Sequence, residues 1–291
     1  MKELYQNITI TIVIYQENLT TISNCLKNFK NFKIIIIDNA GNKKLKTEIE
    51  KEFIIFKYII NKKNVGFSKA TNQAINLCDT ELILHLQADC TISIDSILKL
   101  YESLKKYEDC IIVTPTFYDN KSNLTYSGGP FPEKKIEIQT LALEGDACVD
   151  VSTTAAILFK KKDLLEIGLF DEDFFIYFPD FEIGRRIMIN KKSIIQVYQS
   201  KATHEMGNLK IRNKIKKTFF RYYFYTLDEL IYYHKSKNSN NTYYFLKKKI
   251  LILSLKFIWN FLIFRFVKST EYFARILAFY RFKIKYVKKN T

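Results

Sequence analysis

The 291-residue chain is long enough to bury a substantial core, and it contains 47% hydrophobic and 15% aromatic residues. This composition excludes a largely disordered chain, because disordered segments are poor in aromatic and branched apolar residues. The chain contains only eight glycines and four prolines, which argues against long flexible linkers and low-complexity segments.

The net charge of +16 comes from the C-terminal part of the chain. Residues 210–291 hold 20 of the 46 Lys and Arg residues but only three of the 30 Asp and Glu residues. Residues 1–209 are nearly neutral, with 26 basic and 27 acidic residues. We therefore predict two parts, a neutral domain over residues 1–209 and a basic, aromatic-rich helical region over residues 210–291.

The cysteines and the N-terminus bear on the cellular compartment. Five cysteines are scattered without CxxC spacing, which is typical of a reducing compartment and argues against a disulfide or zinc framework. The N-terminal segment MKELYQNITITIVIYQ contains Glu3 and several threonines. It predicts a strand rather than a signal peptide, because its isoleucines alternate onto one face. We expect a cytoplasmic protein.

Residues 8–115 alternate between strand-like and helix-like patterns. The predicted strands cover residues 8–14, 33–38, 53–60, 82–86 and 111–115. The predicted helices cover residues 19–29, 69–77 and 93–107. This alternation predicts an α/β fold of Rossmann-like type, with a mostly parallel sheet flanked by helices.

Polar residues follow several strands of this predicted sheet. Asp38 ends one strand, Asp89 closes the segment HLQAD, and residues 64–66 form a turn before a helix. Ligands of such sheets bind beyond the carboxyl ends of the strands. Gly66 allows close backbone approach, and the helix N-terminus behind it favours an anion. The alternatives are a cap or turn residue at Asp89 and an ordinary glycine turn at Gly66.

Five segments lie in order between residues 6 and 208: IIIIDNAGN, NVGFSKATNQAI, HLQADCTI, residues 149–186 and ATHEMG. Together they resemble the motifs of the inverting nucleotide-sugar glycosyltransferases of family 2, which have the GT-A fold. IIIIDNAGN and NVGFSKATNQAI resemble the nucleotide-binding segments of that family. HLQADCTI resembles the metal-binding DxD segment of its rhamnosyltransferase-like branch, with Gln87 and Ala88 in the first two places. Residues 149–186 resemble the acceptor-side block, and ATHEMG resembles a strand end that supplies a metal ligand.

The resemblance implies a divalent-metal site formed by Asp89, with His204 as a second ligand. A carboxylate and an imidazole suit Mn²⁺ or Mg²⁺, and manganese somewhat better. Few protein ligands are needed, because the phosphates of the donor complete the coordination shell. The alternative for His204 is a surface or packing histidine.

The resemblance also implies that Asp180 is the catalytic base for the acceptor hydroxyl. The family usually has an acidic pair at this place, whereas this chain has Pro179 before Asp180. An aromatic run flanks the carboxylate, and we expect it to raise the pKa of Asp180 and to stack on sugar rings. The run consists of Phe174, Phe175, Tyr177, Phe178 and Phe181. The alternative role of Asp180 is a helix N-cap.

Further site residues follow from the same resemblance. The donor nucleotide is expected to contact Tyr15, Asp38, Asn64, Gly66 and Asn72. The donor sugar or the acceptor is expected near Asp150, Thr153, Thr154, Tyr177 and Glu182. Glu182 and Arg186 are four residues apart, and they are predicted to pair on one helix face. His85 lies inside a strand, so packing is favoured over catalysis.

The basic region is predicted to form long helices. Residues 250–267 are mostly apolar, and their number is at the lower limit for a membrane-spanning helix. Lys256, Asn260 and Arg265 interrupt the run, and such groups are costly in mid-membrane. We therefore predict an amphipathic helix in the membrane interface, with its cations facing anionic lipid head groups. The alternative is a packed helical subdomain that covers the catalytic domain or a partner subunit of a homo-oligomer.

The sequence thus predicts an inverting glycosyltransferase, peripheral on the inner face of the plasma membrane. It would move a sugar from a UDP- or dTDP-linked donor to a glycan or lipid-linked acceptor in cell-surface polysaccharide synthesis. One alternative is an inactive family member, because Gln87 and Pro179 replace acidic residues. Another is a basic lipid- or nucleic-acid-binding protein. Nucleic acid is disfavoured, because the apolar content of the tail is too continuous and no nucleic-acid motif is present.

Overall fold

The computed structural model describes residues 2–131, 144–205, 211–236 and 242–287, without the side chains of residues 242–248 and 287. The chain divides into two compact units. The first, the sheet unit, contains Met1–Asp171 and Pro179–Asn208, and the second, the helical unit, contains Glu172–Phe178 and Leu209–Thr291. The boundary predicted at 209/210 lies among residues 206–210, outside the described residues. The sequence did not indicate that residues 172–178 belong to the helical unit.

The described part of the sheet unit contains eleven strands. They are β1 (Ile8–Ile14), β2 (Lys33–Asp38), β3 (Lys57–Ile60), β4 (Leu82–Gln87), β5 (Cys90–Ile92), β6 (Cys110–Tyr118), β7 (Gly128–Gly129), β8 (Ala147–Val149), β9 (Val151–Ser152), β10 (Ala156–Lys160) and β11 (Ser193–His204). The main sheet has the order β3-β2-β1-β4-β10-β6-β11-β5, with β8 also paired to β11, and β7 pairs with β9 separately.

Seven helices belong to the described part of the sheet unit. They are α1 (Lys2–Asn7), α2 (Leu19–Leu26), α3 (Lys43–Glu52), α4 (Phe67–Leu77), α5 (Ile94–Lys106), α6 (Lys161–Glu166) and α7 (Pro179–Ile189). The sequence does not indicate helix α3, because only Leu45 and Ile49 of its ten residues are buried and the other eight are polar. Strand β3 begins later than predicted, since residues 53–56 lie outside it.

The α/β fold that the sequence predicts is confirmed. Strand β1 is parallel to both β2 and β4, and β2 is parallel to β3, so this half of the sheet is wholly parallel. Beyond it the sheet is mixed, because β10 runs antiparallel between β4 and β6 and β5 runs antiparallel to β11. The four alternating isoleucines of β1 are all buried in one core cluster, as predicted for one face of a strand.

The helical unit contains α8 (Lys214–Lys235), α9 (Thr242–Leu262), α10 (Phe266–Phe282) and a π-helical turn, Lys283–Val287. Its buried side chains include Tyr232, Ala274, Ala278, Phe279 and Phe282. The small alanines on α10 allow the helices to approach closely, and the aromatic rings fill the remaining space. The predicted long helices are therefore confirmed for the described residues.

The apolar run over residues 250–267 does not form one helix. Helix α9 ends at Leu262, Phe264 has a left-handed φ of 57°, and α10 begins at Phe266. Among the described residues, none of the helices combines the length and the apolarity needed to cross a membrane.

Candidate active site

The carboxyl ends of β2, β1 and β4 lie side by side, because the three strands are parallel neighbours. Asp38 ends β2 opposite Ile14 at the end of β1. Tyr15 follows β1 and is half-buried, and Asp89 follows β4 with its side chain 20% exposed. The structure thus brings Tyr15, Asp38 and Asp89 to one edge of the sheet, where parallel sheets bind ligands.

Asp38 is buried, and its carboxylate is surrounded by donors. Its Oδ1 accepts from the amides of Ala40 and Gly41 at 2.7 and 3.1 Å. Its Oδ2 accepts from the Asn42 amide at 2.9 Å and from the Tyr58 hydroxyl at 3.3 Å. An ionised carboxylate has about four acceptor positions, so this geometry fills them. Asp38 stabilises the turn between β2 and α3, and its contact with a nucleoside stays a prediction.

A network of side-chain amides fixes the turn before α4. Asn39 Nδ2 donates to the Gly66 carbonyl at 3.1 Å, and Asn61 Nδ2 lies 2.8 Å from Asn39 Oδ1 and 2.9 Å from Gln73 Oε1. Asn64 Oδ1 accepts from the Gly66 amide at 2.9 Å. Gly66 has a φ of 90°, which other residues rarely adopt. The sequence did not reveal this network, because its members come from three separate segments.

Asn72, predicted at the nucleotide pocket, bonds to the backbone of Phe170. Its Nδ2 donates to the Phe170 carbonyl at 2.8 Å, and its Oδ1 accepts from the Phe170 amide at 3.1 Å. The side chain is buried on α4. In the structure, Asn72 therefore ties α4 to the segment that follows α6, and its role toward a nucleotide stays a prediction.

His85 is packed in the sheet, as predicted. Its side chain is fully buried, and Nδ1 lies 3.1 Å from the hydroxyl of Thr11. The ring of Phe67 contacts it edge-on at 5.4 Å between centroids. Burial lowers the pKa of His85 to about 3, so the imidazole is neutral at physiological pH.

Asp89 and His204 meet through an antiparallel strand pair. Strand β5 pairs with β11 so that Cys90 lies opposite His204, and Asp89 directly precedes Cys90. The His204 Nε2 is 3.4 Å from Asp89 Oδ1, while the His204 Nδ1 is buried without a partner in the described part of the chain. The pair forms either an ion pair or two ligands of one cation.

The two donors fit a divalent cation by type and spacing. Carboxylate and imidazole are ligands of Mn²⁺, and donors about 3 Å apart can bind adjacent positions of one octahedral ion. Among the described residues, His, Cys, Asp and Glu side chains nowhere gather in a group of three or more that could hold a metal. A cation held by Asp89 and His204 would therefore need further ligands from water or from a bound phosphate.

Asp180 lies in the first turn of α7, which begins at Pro179. Its carboxylate is half-buried, and Oδ1 accepts from the Phe181 amide at 3.0 Å. Burial raises the pKa of Asp180 to about 6. A carboxylate with this pKa holds a proton more strongly than an ordinary Asp and is still ionised at neutral pH, as a general base requires.

Tyr126 lies near Asp180, and the sequence did not single it out. Burial raises the pKa of Tyr126 to about 12, with a smaller contribution from the negative charge of Asp180. Its hydroxyl is buried without a partner among the described residues. A β-carbon at Gly129 would lie 3.3 Å from the Tyr126 ring, so the glycine leaves room for it.

Helix α7 is fixed by the contacts of the Arg186 guanidinium. Arg186 donates from Nε to Glu182 Oε1 at 2.6 Å and from Nη2 to Oε2 at 2.7 Å, which confirms the predicted pair. The same guanidinium donates to the carbonyls of Ile167 and Leu169. Arg186 thus ties α7 to the turn after α6. Glu182 is occupied by this ion pair, and its role toward a sugar stays a prediction.

The predicted acceptor residues 150–154 lie beside the segment SGGPF, residues 127–131. Asp150 Oδ2 accepts from the Phe131 amide at 3.1 Å, and the Thr153 amide donates to the Ser127 carbonyl at 2.9 Å. Thr154 is buried. The short pairing of β7 with β9 joins the two segments. The sequence analysis did not single out the SGGPF segment, although its two adjacent glycines followed by proline are typical of a turn.

Most of the aromatic run predicted around Asp180 packs against α8. Tyr177 contacts Tyr225 at 5.4 Å between ring centroids, and its amide donates to Asp228 at 2.9 Å. Phe175 stacks on Phe224 at 3.8 Å. These rings are thus engaged within the helical unit, and their stacking on sugars stays a prediction.

Comparison with known proteins identifies the family of the chain and solved structures with a similar fold. The family model described as Glycosyl transferase family 2 matches residues 9–165, just over half of the chain. Curated proteins give no match. The crystal structure of GalNAc-T7 with UDP, GalNAc and Mn²⁺ superposes with a TM-score of 0.56 at 15% identity, covering 78% of this chain and 51% of that one.

A second solved structure is similar over a comparable region. The mannosyltransferase PcManGT from Pyrobaculum calidifontis, in complex with GDP-Man and Mn²⁺, gives a TM-score of 0.54 at 13% identity. It covers 76% of this chain and 62% of that chain, so this chain spans about half to two thirds of the length of these neighbours. The α/β unit has the GT-A-like fold of these two structures, and the chain belongs to glycosyl transferase family 2.

Proposed function

We propose that this glycosyltransferase moves a sugar from a UDP- or dTDP-linked donor, with inversion, to a hydroxyl of a glycan or lipid-linked saccharide during cell-surface polysaccharide synthesis. The observation that carries the proposal is the desolvated carboxylate of Asp180 at the start of α7, with its pKa raised to about 6. The similarity of HLQADCTI to the rhamnosyltransferase-like branch favours a deoxyhexose among the sugars transferred.

Asp180 serves as the general base in this mechanism. Its carboxylate takes the proton of the acceptor hydroxyl while the oxygen attacks the anomeric carbon. The bond between that carbon and the phosphate oxygen breaks, and the nucleoside diphosphate leaves with the electron pair. Attack from the face opposite the leaving group inverts the anomeric configuration. Asp150, Thr153 and Tyr177 are the proposed contacts of the sugars.

The donor occupies the carboxyl edge of β1, β2 and β4. The Gly66 turn and the first amides of α4 offer backbone donors to an anionic group, and Asn64 holds that turn. Tyr15 and the Asp38 turn border the nucleoside. Asp89 and His204 would hold a divalent cation, which would offset the negative charge that grows on the leaving diphosphate.

The helical unit is proposed to attach the enzyme to an anionic bilayer. Large apolar side chains are exposed along α9 and at its end, with Trp259 63% and Phe264 78% exposed. Beside them lies a groove of 870 Å³, whose lining includes Lys256, Arg265 and Lys268. Aromatic rings next to cations match the interface of a membrane with anionic head groups. This attachment would place the enzyme next to a lipid-linked acceptor.

A donor-turnover assay tests the proposal. Purified enzyme is incubated with Mn²⁺, a lipid-linked monosaccharide and, in turn, UDP-glucose, UDP-galactose, UDP-GlcNAc and dTDP-rhamnose. Transfer with an inverted linkage, identified by NMR of the product, and its loss in Asp180→Asn would support the proposal. Binding of UDP or dTDP without turnover of any of these donors would favour the inactive family member instead.

A further inference from the structure

The seven residues before Pro179 pack within the helical unit, although they lead directly into the helix that carries Asp180. Phe175 stacks on Phe224 with the ring planes inclined by 13°. Phe178 is buried and contacts the ring of Tyr232 at 5.5 Å. Phe175 and Phe178 of residues 172–178, the pre-helix segment, are therefore held by rings that lie 49 and 54 residues later in the chain.

A single buried carboxylate on α8 binds the backbone of this segment. Asp228 is fully buried, and its Oδ2 accepts from the amides of Ile176 and Tyr177 at 3.0 and 2.9 Å. The Phe175 amide lies 3.2 Å from both carboxylate oxygens. Three successive amides thus converge on Asp228, in the manner of backbone nests that bind anions.

This contact determines the path of the chain toward Asp180. Removing the carboxylate would leave three amide donors without their acceptor, which costs more than the net gain of an ordinary hydrogen bond. Phe178 has a left-handed φ of 66°, a conformation that persists only where its surroundings impose it. Only Phe178 and Pro179 separate the last bound amide from Asp180, so displacement of the segment would displace the start of α7.

We propose that Asp228 is a positioning residue for the base: it binds the three amides of the pre-helix segment and so fixes where Asp180 meets the acceptor. The inference rests on the proposed role of Asp180. It goes beyond that role, because it makes the helical unit necessary for catalysis and not only for attachment to a membrane.

Three variants separate positioning from general stability. Asp228→Ala removes the acceptor, whereas Asp228→Asn keeps one carbonyl oxygen that can accept from the amides. Thr226→Val is the matched control, since Thr226 is buried two residues away on α8 and its hydroxyl has no partner in the described residues. For each full-length protein, kcat and the donor KM are measured with the nucleotide sugar that the wild type turns over.

A second measurement does not depend on turnover. Hydrogen–deuterium exchange is followed in peptides that cover residues 172–189, at a temperature where all variants are folded. We expect Asp228→Ala to exchange at least tenfold faster in these peptides, including the first turn of α7. Asp228→Asn and Thr226→Val should exchange within threefold of the wild type.

In the kinetic assay, Asp228→Ala should lower kcat at least tenfold with a donor KM within twofold, and Asp228→Asn should restore kcat to within threefold. Unchanged exchange in the first turn of α7 in Asp228→Ala would overturn the inference, as would an equal loss of kcat in Thr226→Val. If the wild type lacks turnover, the proposed function has failed. The exchange experiment then still shows whether Asp228 fixes the start of α7.

Discussion

Gly184 of α7 lies against the backbone of Asp150, so close that a β-carbon at position 184 would be 2.4 Å from the Asp150 carbonyl oxygen. Real β-carbons do not approach a carbonyl oxygen this closely, and the backbone cannot yield as a flexible side chain can. The contact joins the helix of the proposed base to the strand segment of the proposed acceptor residues. A glycine at this position is therefore required by packing.

Gly184→Ala should destabilise the protein by about 1–3 kcal/mol, the usual cost of forcing an extra group into a packed site. It should also lower kcat, because α7 must move away from Asp150. Urea unfolding of the variant and of Gly145→Ala measures the first effect. A β-carbon at Gly145 meets nothing within 4 Å, so a similar loss there would contradict the packing explanation.

Asp180→Asn should lower kcat by about 10²–10⁴-fold, the usual contribution of a general base. The affinity for UDP or dTDP should change little, since the base acts on the acceptor. In the wild type, kcat should rise with pH through an acid limb near pH 6, because Asp180 must be ionised to take a proton. The nearby Tyr126 does not titrate in this range, because burial and the charge of Asp180 raise its pKa to about 12.

Asp228 should make the protein less stable as the pH rises. Burial raises the pKa of this carboxyl to about 7, although the amides of residues 175–177 oppose the shift. The folded state therefore binds more protons than the unfolded state between about pH 4 and pH 7, and stability falls across this window. The rise of the Asp228 pKa to about 7 corresponds to at most roughly 4 kcal/mol of unfolding free energy.

The Asp228→Asn variant isolates this effect, because it cannot titrate. Its unfolding free energy should fall less than that of the wild type between pH 5 and pH 8, as measured by urea unfolding at each pH. Asp173 does not interfere, since Lys235 and Lys285 lower its pKa to about 2 against the effect of burial, and it titrates below the window. Parallel curves for the two proteins would contradict the raised pKa of Asp228.

The sequence predicted the parallel half of the sheet and the position of Asp38 and Asp89 at its edge, because both follow from local patterns. Strand alternation and a polar residue at each strand end carry that information within a few residues. The confirmed pair of Glu182 and Arg186 is equally local, since it depends only on helical spacing.

Contacts between residues that are far apart in the chain could not be predicted from local sequence patterns. The aromatic residues before Asp180 were expected around the base, yet Phe175 and Tyr177 pack on α8, about 50 residues away in the chain. One of the donors around Asp38 is the hydroxyl of Tyr58, which comes from a separate strand 20 residues later in the chain. Association of Asp89 with His204 was expected from the family resemblance alone, because β5 and β11 are far apart in sequence.

Asp89 should be needed for metal-dependent nucleotide binding. Thermal unfolding of the wild type is followed with UDP, dTDP, GDP and CDP, each with and without Mn²⁺. A nucleotide at about 100 times its Kd should stabilise the protein by roughly 2.7 kcal/mol. Asp89→Ala should lose the part of this gain that needs Mn²⁺, whereas Asp95→Ala, at an exposed position on α5, should retain it.

Stabilisation that does not need Mn²⁺, or that survives in Asp89→Ala, would instead favour the ion pair with His204. His204→Gln helps to separate the two cases. If His204 is a ligand, the variant should weaken the dependence of nucleotide binding on Mn²⁺. If the contact with Asp89 is only structural, the variant should lower the stability of the unliganded protein and leave the Mn²⁺ dependence unchanged.

The apolar surface of α9 should bind anionic vesicles. Co-sedimentation with vesicles of phosphatidylglycerol and phosphatidylethanolamine measures a partition coefficient, and vesicles of phosphatidylcholine serve as the uncharged comparison. The double variant Trp259→Ser, Phe264→Ser should reduce partition at least tenfold, because both side chains are largely exposed in the structure. Ile54→Ser is the matched control, since Ile54 is an exposed apolar residue of the sheet unit.

The cations beside this surface should contribute separately. Each of Lys256→Gln, Arg265→Gln and Lys268→Gln should lower partition about fivefold, since a basic residue near an anionic bilayer contributes about 1 kcal/mol. Added salt should weaken binding of the wild type more than binding of the triple variant. Equal binding to both vesicle types, self-association that buries Trp259, or salt-sensitive binding to an oligonucleotide in place of vesicles would contradict the membrane surface. The last result would make nucleic acid the partner of the helical unit.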